Sequence, residues 1–267
     1  METLKNKVAA VFAANGAIAS AVARSLANEN AEVFLSGRNL HAVQSLAEEI
    51  NAKGGKAHAL QVDAMQEQEI EYFLGNIIEE KGHLDVVFNG IGSRAGQLQY
   101  GTPSTQLPFE KFMEALEVSL GSQFLTSRVA AKHMVQTGTH GTIITLSASL
   151  SRIKVPFMAG ITAACAGIEG LTRTLASEFG QAGIKVICLN STALVETRTI
   201  QETNSLNAKT IGIAEEEFSE QLKQGYLLGK SPSPIDIGQF TAFLATEAGA
   251  LLNSHVVDVD FGAYNVI

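Results

Sequence analysis

The sequence predicts a doubly wound α/β protein, a parallel sheet with helices on both faces. Three observations predict it. Short apolar runs rich in β-branched residues alternate with longer segments of helical periodicity. The runs are continuous rather than alternating, so both sheet faces must be covered. Each run is separated from the next by enough chain for the crossover that parallel strands require. No linker rich in Pro, Gly or Ser interrupts the pattern, and residues 1–267 are read as one domain.

The elements follow in order. Val8–Ala13 reads as a buried strand, and Ile18–Asn28 carries apolar residues at helical spacing. Glu32–Ser36 is the next strand, and Asn39–Lys53 a helix ended by Gly54-Gly55. Ala57–Val62, Leu84–Asn89, Gly141–Ser147 and Lys185–Leu189 repeat the strand signal. Between them Gln66–Lys81, Pro108–Thr137 and Ala159–Gln181 read as helices. Residues 195–230 are polar and weakly periodic, and read either as a mobile helical lid or as a solvated excursion. Ligands of such a sheet sit beyond the carboxyl ends of its strands.

Composition narrows the function. A net charge of −8 argues against nucleic acid as a partner, because that binding relies on Lys and Arg neutralising phosphates. Cys165 and Cys188 stand in apolar surroundings and read as reduced, buried thiols. The apolar run near the N-terminus is too short for a signal peptide or membrane span, which points to the cytoplasm. No spacing of His, Cys, Asp or Glu points to a metal site, and His133 and His140 read as surface groups.

The segment from Val11 to Ala19 sets a strand, a tight turn and a helix in series. Asn89-Gly90-Ile91-Gly92 follows the fourth strand. Gly141–Ser149, Pro156 and Ala159–Arg173 follow with their own fixed spacing, and His255–Gly262 closes the chain. Together these segments resemble the short-chain dehydrogenase/reductase family over essentially the whole chain. The resemblance implies a Rossmann-like domain, hydride exchange with a nicotinamide cofactor, and a homo-oligomer, a dimer or tetramer built on the last strand and its neighbouring helix.

The resemblance places the cofactor's diphosphate at the first turn, on Ala13, Asn15, Gly16, Ala17 and Ile18. The family's three turn glycines fall on Ala13, Ala17 and Ala19, all alanine here. A β-carbon disfavours any positive φ that the turn needs, and Gly16 offers a place for the turn to relax by one position. Enoyl-acyl carrier protein reductases of the same family have Ser-Ile-Ala where this chain has Ala17-Ile18-Ala19, so replacement of the last two glycines is compatible with binding. The free N–H groups and dipole of the helix N-terminus still suit an anion. Gly37 stands where an acidic residue would hold the ribose of NAD, and Arg38 follows it. A guanidinium there suits a 2′-phosphate, which favours NADP(H) over NAD(H); a plain surface Arg is the competing reading. Asp63 and Ala64 match the adenine contact. Asn89, Gly90 and Ile91 match the segment under the ribose. Thr197 matches, within one residue, a threonine on the diphosphate.

The family's tetrad of Asn, Ser, Tyr and Lys falls on Ser119, Ala148, Ile161 and Cys165. A carbonyl oxygen that receives a hydride must be protonated or neutralised, and Ile161 offers no proton. Cys165 offers no permanent positive charge and reads as an inert thiol rather than a nucleophile. Ser119, Ser147 and Ser149 are possible substitutes that polarise a carbonyl by hydrogen bonding, with a structural hydroxyl as the competing reading. Ser93, Arg94, Arg152 and Lys154 are candidates for an anionic ligand or for solvated charge. Ser191-Thr192 replaces the family's Pro-Gly, which carries the chain over the nicotinamide. Three functions follow: hydride transfer by a non-standard route, a non-redox reaction (elimination, isomerisation or cyclisation) in the same pocket, or a non-catalytic nucleotide sensor or silent subunit. Hydride transfer to a conjugated C=C is the most tolerant version of the first.

Overall fold

The computed structural model describes residues 4–92, 94–223 and 225–263. β1 (Val8–Phe12), β2 (Glu32–Gly37), β3 (Lys56–Gln61), β4 (Val86–Asn89), β5 (Thr142–Ala148), β6 (Lys185–Ser191) and β7 (Val256–Val259) form one sheet. Its order is β3-β2-β1-β4-β5-β6-β7. Every pairing is parallel. Register in the centre is fixed by Ala9, which stands opposite Val33 on one side and Val86 on the other. β1 is wholly buried, as its uninterrupted apolar run requires.

The crossovers are α1 (Ala17–Asn28), α2 (Leu40–Ala52), α3 (Glu67–Lys81), α4 (Phe109–Leu116), α5 (Ser122–Thr137), α6 (Ala159–Phe179), α7 (Arg198–Ile211), α8 (Glu215–Lys223) and α9 (Pro234–Leu244). One core packs Val22, Leu26, Leu46, Ile50, Ile237 and Leu244 against the sheet. The other packs Ile70, Phe73, Ile77, Met134 and Leu175 against its opposite face. Phe12 reaches Phe73 edge-on at 5.4 Å between ring centres. The sheet is therefore covered on both faces, as the continuous apolar strands demand.

Helix ends follow local chemistry. Asn39 caps α2 by accepting from the Ala42 N–H, and Ser233 and Asp236 form a reciprocal cap on α9. Gly82 and Gly138 end α3 and α5 in the left-handed conformation.

One expectation is corrected. Pro108–Thr137 is not one helix: a π-helical turn, Glu117–Gly121, separates α4 from α5 and carries Ser119. Such turns interrupt the ordinary hydrogen-bond ladder and are frequent at functional sites. Among the described residues, 195–230 holds helices α7 and α8, as the helical reading of that weakly periodic segment expects.

The direction of winding reverses between β1 and β4. Ligands of doubly wound sheets bind at that point, where the first turn and the Asn89-Gly90 segment leave the strands. Gly90 is needed there, because a β-carbon would lie 2.7 Å from the Ala19 Cβ.

Candidate functional site

The first turn has the strain that its sequence implies. Ala13 holds φ at 54°, the left-handed region that a β-carbon disfavours. Gly16 does not relieve it: its φ is −75°, ordinary extended backbone at the start of α1, which corrects that expectation. The Gly16 N–H donates to the Ala13 carbonyl at 2.9 Å and closes the turn. No side chain caps α1, and no acidic residue stands in its first turn. Its leading N–H groups and the positive end of its dipole are left for an anion.

The end of β2 closes on the same turn. A β-carbon on Gly37 would lie 2.9 Å from Asn15 Oδ1 and 3.0 Å from Val43 Cγ2. Arg38 is exposed beside it. Asp63 uses one carboxylate oxygen to accept from the Met65 N–H at 3.1 Å, with Ala64 buried beside it. The Asn89 side chain is occupied within the fold. It accepts from the Ile91 N–H at 2.8 Å and donates to Thr126 Oγ1 at 2.9 Å. It shapes the turn through Gly90 and Ile91.

From the α1 N-terminus a cavity of about 410 Å³ runs across the carboxyl ends of β4, β5 and β6 to α7 and α8. Gly16, Ala17 and Ile18 line one end; Thr203, Asn204, Asn207 and Phe218 line the other. Leu146, Ile153, Val155, Ile161 and Ile168 give it apolar walls. A volume of this size holds a small ligand and excludes most water from it.

A family model described as enoyl-(acyl carrier protein) reductase matches residues 12–264. The chain belongs to the short-chain dehydrogenase/reductase family. It is 28% identical to the uncharacterized oxidoreductase YxbG of Bacillus subtilis, over 98% of this chain and 92% of that one. It is 29% identical to a short-chain dehydrogenase/reductase of Armillaria gallica, over 97% of this chain and 96% of that one. It superposes on the crystal structure of an actinorhodin polyketide ketoreductase with NADPH at a TM-score of 0.87, with 24% identity, over 99% of this chain and 100% of that one. Among the described residues no helix is long and apolar enough to cross a membrane.

In this short-chain dehydrogenase/reductase the four residues on which the resemblance places the family's tetrad meet the cavity together. Ser119, Ala148, Ile161 and Cys165 all line it. Ser119 is buried, and among the described residues its hydroxyl is without a hydrogen-bond partner. Cys165 is 2% exposed. Burial pushes its thiol pKa up, against the Ala148 N–H and the Ser147 hydroxyl, which favour the thiolate. Burial likewise pushes Cys188 up to about 12. A nucleophilic cysteine needs the reverse shift. Ser147 is spent, because its hydroxyl donates to the Cys165 carbonyl at 3.2 Å. Ser149 opens a short helical turn and lines the cavity. Thr197 donates to the Leu194 carbonyl at 2.8 Å, at the foot of α7.

The charged candidates divide. Arg94 and Lys154 line the cavity and are exposed. Arg152 is held by Glu169 and Asp258, which ties the loop after β5 to α6 and β7 rather than to a ligand. Ser93 lies outside the described residues. His133 is not a solvated group: it is largely buried, with Nε2 3.0 Å from Glu71. Far from the cavity, Glu32, His58 and Glu80 come within ligating distance of one another, a grouping that their sequence spacing hid. The Lys81 ammonium lies 2.7 Å from Glu32 and 2.9 Å from Glu80 and neutralises them.

Sequence reasoning missed Tyr100 and the α7 face Thr203, Asn204 and Asn207, all cavity residues. Asn207 is 2% exposed and its Oδ1 is unpartnered. The 203-204-207 spacing is one face of a helix and was legible as such; which way that face points was not.

Proposed function

We propose that this chain binds NADP(H) and moves a hydride to or from a small, largely apolar substrate that bears an oxygen function. The observation that carries the reading is the continuity of the cavity, from the uncapped N-terminus of α1 past all four tetrad positions to α7. The residues fit the cofactor's phosphate end. Asn15, Gly16, Ala17 and Ile18 would hold the diphosphate, with Thr197 near it. Arg38, exposed at the end of β2, would meet the 2′-phosphate. Asp63 and Ala64 would meet the adenine, and the turn from Asn89 to Ile91 would support the ribose. When bound, the nicotinamide supplies or takes the hydride.

The chain's own residues set the rest. Leu146, Ile153, Val155, Ile161 and Ile168 exclude water from the reacting end. No ionisable group stands at position 161, so the protein polarises the substrate oxygen rather than trading a proton through the family's tyrosine. A conjugated C=C acceptor suits this arrangement, because its carbonyl oxygen need only be hydrogen-bonded while hydride arrives at carbon. We further propose a single cytoplasmic domain that pairs with copies of itself. The exposed apolar residues Ile235 on α9 and Leu251 before β7 support that assembly.

Titration with NADPH and NADH, followed by cofactor fluorescence, tests the reading. Micromolar NADPH binding is expected, at least about tenfold tighter than NADH, with the preference lost in Arg38→Ala. Absence of NADPH binding at millimolar cofactor overturns it. Ile161 and the buried Cys165 favour a second reading, a nucleotide sensor or silent subunit. NADPH binding without turnover across a panel of enones and ketones would support that one instead.

A further inference from the structure

We propose that Tyr100 supplies the hydroxyl that binds the substrate's carbonyl oxygen in this cavity, a task that position 161 cannot perform. The proposal deepens the hydride-transfer reading and rests on it.

Tyr100 comes from the loop between β4 and α4, a part of the chain that holds none of the tetrad positions. It nevertheless lines the same cavity as Ser119, Ile161 and Cys165. Tyr100 is partly buried in the cavity wall, and among the described residues its hydroxyl makes no hydrogen bond within the fold. A tyrosine hydroxyl left unbonded by the fold on a mostly apolar cavity wall is available as a donor to whatever fills the cavity. In the proposal a ligand's oxygen takes that hydrogen bond. Ser119 Oγ, buried and unpartnered in the same cavity, provides a second donor. Two hydroxyl donors in an apolar chamber are a site for one polarised oxygen.

The loop is held as a functional loop would be. The Tyr100 N–H donates to the Ala95 carbonyl at 3.0 Å, and the Gly101 N–H to the Phe157 carbonyl at 3.1 Å. The Gly101 carbonyl accepts from Thr210 Oγ1 on α7 at 2.6 Å. Gln99 and Gly101 flank the tyrosine in left-handed conformations, φ 52° and 86°. Three separate parts of the chain thus fix its position. Positive φ at a non-glycine residue is a strain that persists only where the surroundings impose it.

The chemistry balances with Tyr100 neutral throughout. As hydride from a dihydronicotinamide forms a C–H bond at the β-carbon of an enone, the C=C pair shifts and the carbonyl π pair moves onto oxygen. The Tyr100 O–H stabilises that developing enolate by donating a hydrogen bond. The α-carbon then takes a proton from water. Burial, and repulsion by any thiolate at Cys165, hold the Tyr100 pKa well above the ordinary phenol range. The phenol therefore stays protonated and remains a donor.

The test uses cyclohex-2-enone carrying ¹³C at the carbonyl, bound to the intact protein and read by infrared difference spectroscopy. The C=O stretch is expected to move to lower frequency on binding. Tyr100→Phe should abolish most of that shift, and Ser119→Ala part of it. This measurement needs no cofactor, so a failure of nicotinamide binding is read separately from a failure of Tyr100. Where NADPH turns the enone over, Tyr100→Phe should lower kcat about a hundredfold with little change in KM. A C=O shift that survives in Tyr100→Phe, or no binding of the enone to the unaltered protein, overturns the proposal.

Discussion

The Gly16 N–H donates to the Ala13 carbonyl at 2.9 Å, and it does so with Ala13 held at φ 54°. The turn thus takes the conformation that a glycine would adopt freely, with an alanine in place. A left-handed alanine costs roughly 1–2 kcal/mol, while glycine loses about 0.4–1 kcal/mol more on folding. The first effect is the larger. Ala13→Gly should stabilise the protein by about 0.5–1 kcal/mol and raise Tm by a degree or two. Thermal unfolding checks it, and a lower Tm would show that the Ala13 methyl group contributes packing that outweighs the strain.

Gly37 decides whether the chain can be turned toward NAD(H). An acidic residue there would suit a ribose hydroxyl, but its β-carbon would stand 2.9 Å from Asn15 Oδ1 and 3.0 Å from Val43 Cγ2, well inside van der Waals contact, so both must give way. Gly37→Asp should lower stability by about 1–3 kcal/mol without creating tight NADH binding. Calorimetric titration with both cofactors, beside denaturant unfolding, measures the two effects. A stable variant that binds NADH tightly would show that Asn15 and Val43 yield easily.

Both cysteines should resist alkylation in the native state. Cys165 and Cys188 are 2% and 0% exposed. Their folded pKa values lie above the ordinary 9.0, that of Cys188 at about 12. At pH 8 iodoacetamide should label neither thiol in the folded protein and both in guanidinium chloride, as intact mass reports. The linkage has a definite sign. Folded-state pKa values that are raised give a contribution that is fully present below pH 9 and lost as pH climbs toward about 12, because the unfolded thiols ionise first. Stability should therefore decline on the alkaline side. Fast native labelling of Cys165 would instead mark it as reactive.

Gly238 is the contact that seats α9 on α1. A β-carbon there would stand 2.5 Å from the Ala21 carbonyl oxygen, which is backbone and cannot swing aside. Gly238→Ala should destabilise by about 1–3 kcal/mol by forcing the helices apart. Urea unfolding measures it, and an unchanged midpoint would mean that α9 shifts at no cost.

Gly101 fixes the Tyr100 loop against α7. Its φ is 86°, and a β-carbon would meet the Leu206 carbonyl oxygen at 2.9 Å. Gly101→Ala should move Tyr100 and weaken enone binding at least about tenfold, while the proposed NADPH binding, placed at the other end of the cavity, should stay within about twofold. Equal losses for both ligands would show that the loop supports the whole site.

The sequence by itself determined the sheet, its crossovers and the register of the tetrad positions. Continuous apolar runs, helical spacing and turn residues are local signals, and each is carried by a dozen or so neighbouring residues. It also carried the reading that places the family's tyrosine and lysine on Ile161 and Cys165, since that follows from resemblance along a single segment, and the strain at Ala13, since one β-carbon in a tight turn suffices. Tertiary structure alone decided which hydroxyls are free. Ser147 and Ser119 look equivalent in the chain, yet Ser147 is bonded to the Cys165 carbonyl and Ser119 is not. Tyr100 and Asn207 meet at one cavity although they are far apart in the chain, and the Gly101 carbonyl beside Tyr100 docks on α7 through Thr210, 109 residues away. Hydrogen-bond satisfaction depends on partners brought from far along the chain, and no local pattern in the sequence encodes where those partners will stand.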